Sequence, residues 1–315
     1  GLVTLGMAAL DVVGAESAGW MGELSLEAFL LLLGALLVAA GIGTSRVLGA
    51  TPAGGFVGGE LTAMLGDPDP AVRDGIAYPT LAAWIGDGVY DDLLEGLGDG
   101  MAAGLIVGLG QDGSDTVFRR SFSVLALAEC IERDNQAHLV PPGTMVRWGD
   151  RVAGWFVRER DLRGFVPGKG WAHAVAHGAD AIAALAASEA MGRLELTVLL
   201  DVLADRLLLP TEHFLVHGET DRLARATMRV LRRDLVSLEV LEPWLARLSQ
   251  NARARGHGHA DPKIETRNVQ SYLRSLHLQL ALAPNPPVNR SDMLLAVLER
   301  LREANPDYLS PGARE

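Results

Sequence analysis

Cysteine is almost absent from this chain. Its one copy, Cys130, lies in the apolar run SFSVLALAEC. A lone thiol forms no internal disulfide, so Cys130 reads as a small buried hydrophobe and the chain as the product of a reducing, cytoplasmic compartment. The sequon-like Asn289-Arg290-Ser291 then carries no meaning as a glycosylation site. Positive charge is also scarce: the formal net charge is −11, a field that repels phosphate backbones and disfavours nucleic acid as a partner. Period-2 alternation is missing too, which excludes a sheet-based fold. With it goes the dinucleotide reading of Gly108-Leu109-Gly110-Gln111-Asp112-Gly113, because a GxGxxG needs βαβ alternation around it.

The amino-terminal segment lacks charge of either sign over a long stretch. Residues 1–54 hold one basic residue, Arg46, and none of the residues from Ala28 to Ser45 is charged. That run is near the lower limit for a membrane-spanning helix. It lacks the basic n-region of a signal peptide, and Asp11, Glu16, Glu23 and Glu27 precede it. Three readings stay open: an extension outside the main fold, including an over-extended start with Met7, Met21 or Met64 as internal alternatives; a membrane anchor through residues 28–45; and a buried core helix. If the segment spans, Arg46 keeps the main domain on the cytoplasmic side.

What is present is helical spacing, with 49% apolar residues to bury. From residue 58 onward the pattern predicts about nine or ten helices with short Gly/Pro connectors. Asp69 and Pro70 form a helix start, and Pro79 a kink. Pro141-Pro142 opens another helix, running through Arg158. Leu194–Leu209 is stopped by Pro210. Asp221–Leu248 is one long helix or two joined near Pro243. The expectation is an all-α domain over 55–310, followed by a tail of 311–315. Its architecture is expected to be HEAT/ARM-like stacked antiparallel helix pairs, an α-α superhelix with a concave face, or alternatively an irregular helical bundle.

Most chemistry is concentrated between Asp161 and Asp180, in DLRGFVPGKGWAHAVAHGAD. The glycines and Pro167 predict a tight loop, followed by a helix over roughly 170–187. On that helix His173, His177 and Asp180 fall at i, i+4 and i+7, along one stripe. Two imidazoles one turn apart with a carboxylate beyond them are candidate ligands for a divalent metal such as zinc. Packing against carbonyls or acids explains the same spacing. Lys169, between Gly168 and Gly170, is a candidate anion-binding residue at a helix start, or a solvated side chain. Arg73, Asp74, Arg120 and Ser121, with Trp171, complete the ligand-binding candidates; an Arg120–Asp74 pair would either lock two helices or hold a ligand's carboxylate or phosphate.

Weaker signals read as structural. Glu219 and Arg222 look like a solvated or capping pair with Thr220 as the cap. Arg225, Arg229, Arg232 and Arg233 look like a solvated face. His257, His259 and Asp261 could bind a metal, but flanking Gly and Arg favour a helix–helix loop, and Trp84, Trp148, Trp155, Trp171 and Trp244 read as packing residues.

Four segments, DPDPAVRDGIAYPTLAAWI, RRSFSVLALAECIERD, RDLRGFVPGKGWAHAVAHGAD and HGETDRLARA, in this order and spacing resemble an uncharacterised bacterial family, domain of unknown function 2785, over about residues 56–310. The resemblance implies an all-α, HEAT-like cytoplasmic protein. It supplies no activity, so function rests on the residues. Their chemistry leads first to a helical-repeat protein that binds a small anionic ligand or peptide on its concave face. A metal-dependent hydrolase built on His173, His177 and Asp180, and a membrane-tethered scaffold, are the alternatives.

Overall fold

The computed structural model describes residues 59–251, 261–305 and Leu309. The segment 28–45, the extension 1–54 and both His257 and His259 lie outside the described residues. Within them no helix is long and apolar enough to cross a membrane.

The chain is all-α. Helix α1 opens as Pro70–Val72, where Asp69 caps by accepting the Ala71 N–H at 2.9 Å and Pro70 fills the first turn. It passes through a π-helical turn, Arg73–Ala77, and continues as Tyr78–Gly86. The expected irregularity at Pro79 thus takes the form of one widened turn just before it: the proline lacks an N–H, and i→i−5 bonding makes room for its ring. Next come α2 (Leu94–Gly104), α3 (Thr116–Ala137) and α4 (Pro142–Arg158). After a short hairpin follow α5 (Ala174–Ala187), α6 (Arg193–Leu208), α7 (Glu219–Leu231), α8 (Leu238–Asn251), α9 (Pro262–Leu282) and α10 (Arg290–Ala304).

The order of packing is regular. α1, α3, α5, α7 and α9 touch in succession, and so do α2, α4, α6, α8 and α10; contacts such as α2–α3, α4–α5, α6–α7 and α9–α10 join the two rows. α5 lies in the middle of the first row, and its composition explains why. In AVAHGADAIAALAA all but two of the side chains are small or apolar, and the helix is buried almost throughout. Small residues let neighbours approach closely on every side: a Cβ on Gly178 would lie 2.4 Å from the Phe156 ring of α4.

Three sequence expectations are corrected. The stretch before α5, expected as a tight loop, is a hairpin with a tight turn: β1 (Phe165–Val166) pairs antiparallel with β2 (Gly170–Trp171). Pro167-Gly168 forms its turn, with Gly168 at φ 76 and Lys169 N–H donating to the Val166 carbonyl at 3.0 Å, the pattern of a type II turn. The helix itself begins at Ala174, so His173 precedes it as the N-cap, in the left-handed region at φ 51. The break in 221–248 falls at Asp234, φ 55, while Pro243 sits inside α8.

Candidate functional site

The hairpin, the His173 cap and α5 bring one face of α1, α3 and α7 around a hollow of about 500 Å³. Asp74 and Tyr78 enter it from α1, Phe122 and Leu125 from α3, and Trp171 from β2. His173, His177 and Asp180 contribute from the cap and α5, and His217 and Arg222 from the start of α7.

His173 owes its position to backbone conformation. The left-handed cap costs on the order of 1–3 kcal/mol for a non-glycine residue. It is held by the His173 N–H donating to the Arg163 carbonyl at 3.1 Å and by Ala172 N–H donating to Gly164 at 2.8 Å. The imidazole then stacks on Trp171, 4.3 Å between centroids and 19° from parallel. Burial, with Arg222 close by, pulls its pKa down to about 4. The ring is therefore neutral at pH 7, and the Glu219 carboxylate 3.8 Å from its Nε2 is a polar neighbour, not an ion-pair partner. That Nε2 is buried and has no hydrogen-bond partner.

His177 is more constrained. Its Nδ1 lies 2.8 Å from Ser121 Oγ, whose single hydroxyl proton goes to the Ala172 carbonyl. A carbonyl only accepts, so His177 must carry its proton on Nδ1, which leaves Nε2 as a bare acceptor. Burial pushes the pKa of this ring well below the ordinary histidine range, reinforced by His173 and Arg222. Phe122 meets it edge-on at 5.0 Å.

Asp180 turns to α7. Arg222 donates to its Oδ2 at 2.6 Å, and Arg225 lies 3.3 Å from Oδ1 without the alignment of a hydrogen bond. Burial raises the Asp180 carboxyl, and the two guanidinium groups oppose it. Asp74 is likewise raised by burial, opposed by Arg73, which donates to it at 2.8 Å. Among the described residues, no group of three or more His, Cys, Asp or Glu side chains is placed to hold a metal ion.

The expected cations lie elsewhere. Arg73 is fully buried beneath the hollow, over the rings of Phe118 and Phe122, donating to the carbonyls of Asp67 and Lys169 at 2.8 and 2.7 Å. Arg120 does not pair with Asp74. It faces the opposite side of α3, where Nε and Nη2 donate to Glu159 at 2.5 and 2.8 Å and Nη1 reaches the Val107 and Gly108 carbonyls. That contact also gives the Gly108–Gly113 turn a structural role. Lys169 projects outward to Asp115, 2.6 Å away.

Several residues read as bland are not. Glu219 is buried; its Oε2 accepts the His217 N–H at 2.7 Å, and Gly218, not Thr220, takes the cap position. The arginines just past the end of α7 tie it to neighbours: Arg233 donates to the Ala186 and Ser188 carbonyls, and Arg232 to the Asn285 carbonyl. Trp84, Trp148, Trp155 and Trp244 are packed, whereas Trp171 is 40% exposed. Tyr78, Phe122, Leu125 and His217 each lie in one of the four family segments, but no spacing marked them as site residues. The HGETDRLARA block also holds Arg222, whose spacing pointed to Glu219 and not to Asp180.

Fold and site together define an all-helical protein with an aromatic, histidine-lined hollow at the centre of one helix row. The family described as protein of unknown function (DUF2785) matches residues 105–278, more than half of the chain. The chain belongs to that family. The match runs from the end of α2 into α9 and holds every lining residue except Asp74 and Tyr78. No curated protein and no solved structure matches the chain.

Proposed function

We propose that the hollow beside His173 and His177 holds a small organic molecule that brings its own N–H or O–H donor and a flat face. The observation that carries this reading is the buried His173 Nε2 without a partner, in a ring already stacked on a half-exposed tryptophan. A buried nitrogen left without a hydrogen bond costs about 1–3 kcal/mol, which a polar group of the ligand would recover. His177 Nε2 offers the bare acceptor that calls for a ligand donor, and Phe122 and Leu125 an apolar wall. An anion, as expected from the sequence, would meet only Arg222, which already neutralises Asp180. On this reading the row of α1, α3, α5 and α7 is the face that a HEAT-like superhelix turns to its ligand.

Calorimetric titration of the full chain with benzimidazole, benzamidine and phenol, against phosphate and citrate, tests it. At least one ring donor should bind saturably, with His173→Ala weakening it about tenfold, or 1.4 kcal/mol, and Trp171→Ala weakening it as well. Binding of the two anions alone, or of nothing, would overturn the reading.

A further inference from the structure

A second, larger hollow of about 1090 Å³ lies between the end of α4, the segment after α6 and the turn after α2. Of the sequence signals, only the discounted GxGxxG stretch reaches it, through Leu109, Gly110 and Asp112. Arg206 of α6 lines it and is 5% exposed. Its Nη1 donates to the Phe156 and Glu159 carbonyls at 3.1 and 2.6 Å, which cap the end of α4. Its Nε–H has no partner at all.

The charge count around it does not close. Glu159 is the carboxylate nearest in sequence to those carbonyls, yet both its oxygens are committed. Arg120 holds them bidentately, and Trp155 Nε1 and the N–H groups of Arg160 and Asp161 also donate to them. Two buried guanidinium groups therefore share one buried carboxylate. A buried charge without a counter-charge is costly, and such a site is completed by an anion. Asp161, the other buried acid nearby, is taken by Arg163 at 2.6 Å.

The surroundings specify the rest. Arg158 and Arg160 stand exposed at the rim, adding positive field where an anion would enter. Asp112 and Glu212 also line the hollow but are exposed, so solvent screens them where Arg206 is not screened. Leu109, Val157, Leu162 and Leu209 form an apolar wall. We infer that this hollow is a binding site for an amphiphilic organic anion, its carboxylate or phosphate head on Arg206 and its apolar body against the leucine wall.

The site shares no residue with the histidine hollow, so either assignment can fail without the other. The test is titration of the full-length chain with octanoate, octan-1-ol and inorganic phosphate. Octanoate should bind saturably, at least tenfold more tightly than either of the others. R206Q should abolish that preference. Because Arg206 also caps α4, the exposed double variant R158E/R160E, which leaves the buried contacts intact, serves as the second arm and should weaken octanoate at least threefold. Octanol or phosphate binding as tightly as octanoate, absence of saturable binding, or an octanoate affinity unchanged in both R158E/R160E and a folded R206Q would overturn the inference.

Discussion

His173 shows how far one residue's backbone can decide its chemistry. Placed on the helix, it would be an ordinary ligand candidate one turn from His177. Placed before the helix in a left-handed cap, it lies flat on Trp171, loses its water and stays neutral. The consequence for stability has a definite sign. With folded pKa values held below the ordinary 6.5, to about 4 for His173 and in the same direction for His177, the folded protein binds fewer protons than the unfolded chain in mildly acidic solution. Stability from this source is complete above pH 6.5 and is lost as the pH falls toward 4. The thermal midpoint is therefore expected to drop between pH 6.5 and 4.5, and the slope to flatten in His173→Gln. An unchanged slope in that variant would show that the ring titrates normally.

At the scale of the element, the glycines separate two kinds of helix. In α5, Gly178 lies where a methyl group would press on Phe156 and Trp155 at 2.4 and 3.0 Å, both of them buried rings without room to move. In α2, Gly100 is exposed and nothing lies within 4 Å of its Cβ position. Helix propensity favours alanine at both by about 1 kcal/mol, but overpacking costs roughly 1–3 kcal/mol. Gly178→Ala is expected to destabilise and to move α4 away from α5, while Gly100→Ala is expected to stabilise by about 0.5–1 kcal/mol. Urea midpoints of the two variants measure both, and equal shifts of the same sign would contradict the packing argument. The helix starts at Asp69-Pro70 and Pro141-Pro142 were legible in sequence because proline and caps act within one turn. The start of α5 was not, since the hairpin that delays it depends on the pairing of Phe165 with Trp171.

Across the whole molecule, charge is paired out of sight of the sequence. Five cationic positions carry the site arguments. Arg73, Arg120 and Lys169, expected together, end on carbonyls and Asp74, on Glu159, and on Asp115. Arg222, read as a surface partner of Glu219, instead neutralises Asp180, and Arg206, unremarked, is left short of a carboxylate. With Asp180 occupied by guanidinium, the histidine pair has no third ligand placed beside it among the described residues, and a structural or catalytic zinc site takes one. Chelation by EDTA is accordingly expected to leave the thermal midpoint unchanged, and elemental analysis of the purified full chain to find no stoichiometric zinc. Near-equimolar zinc, lost in His173→Ala, would reverse that conclusion.

The sequence by itself determined the helical class, the positions of most helix ends, the family, and the block in which His173, His177, Asp180 and Trp171 converge. Those properties rest on short-range rules: side-chain periodicity, capping, and the conformational limits of proline and glycine. Tertiary structure alone decided which cation meets which anion, which imidazole nitrogen carries the proton, and where a buried guanidinium is left over. Such outcomes depend on atoms brought together from tens of residues apart, as Arg120 meets Glu159 and Asp180 meets Arg222, and no local spacing encodes them.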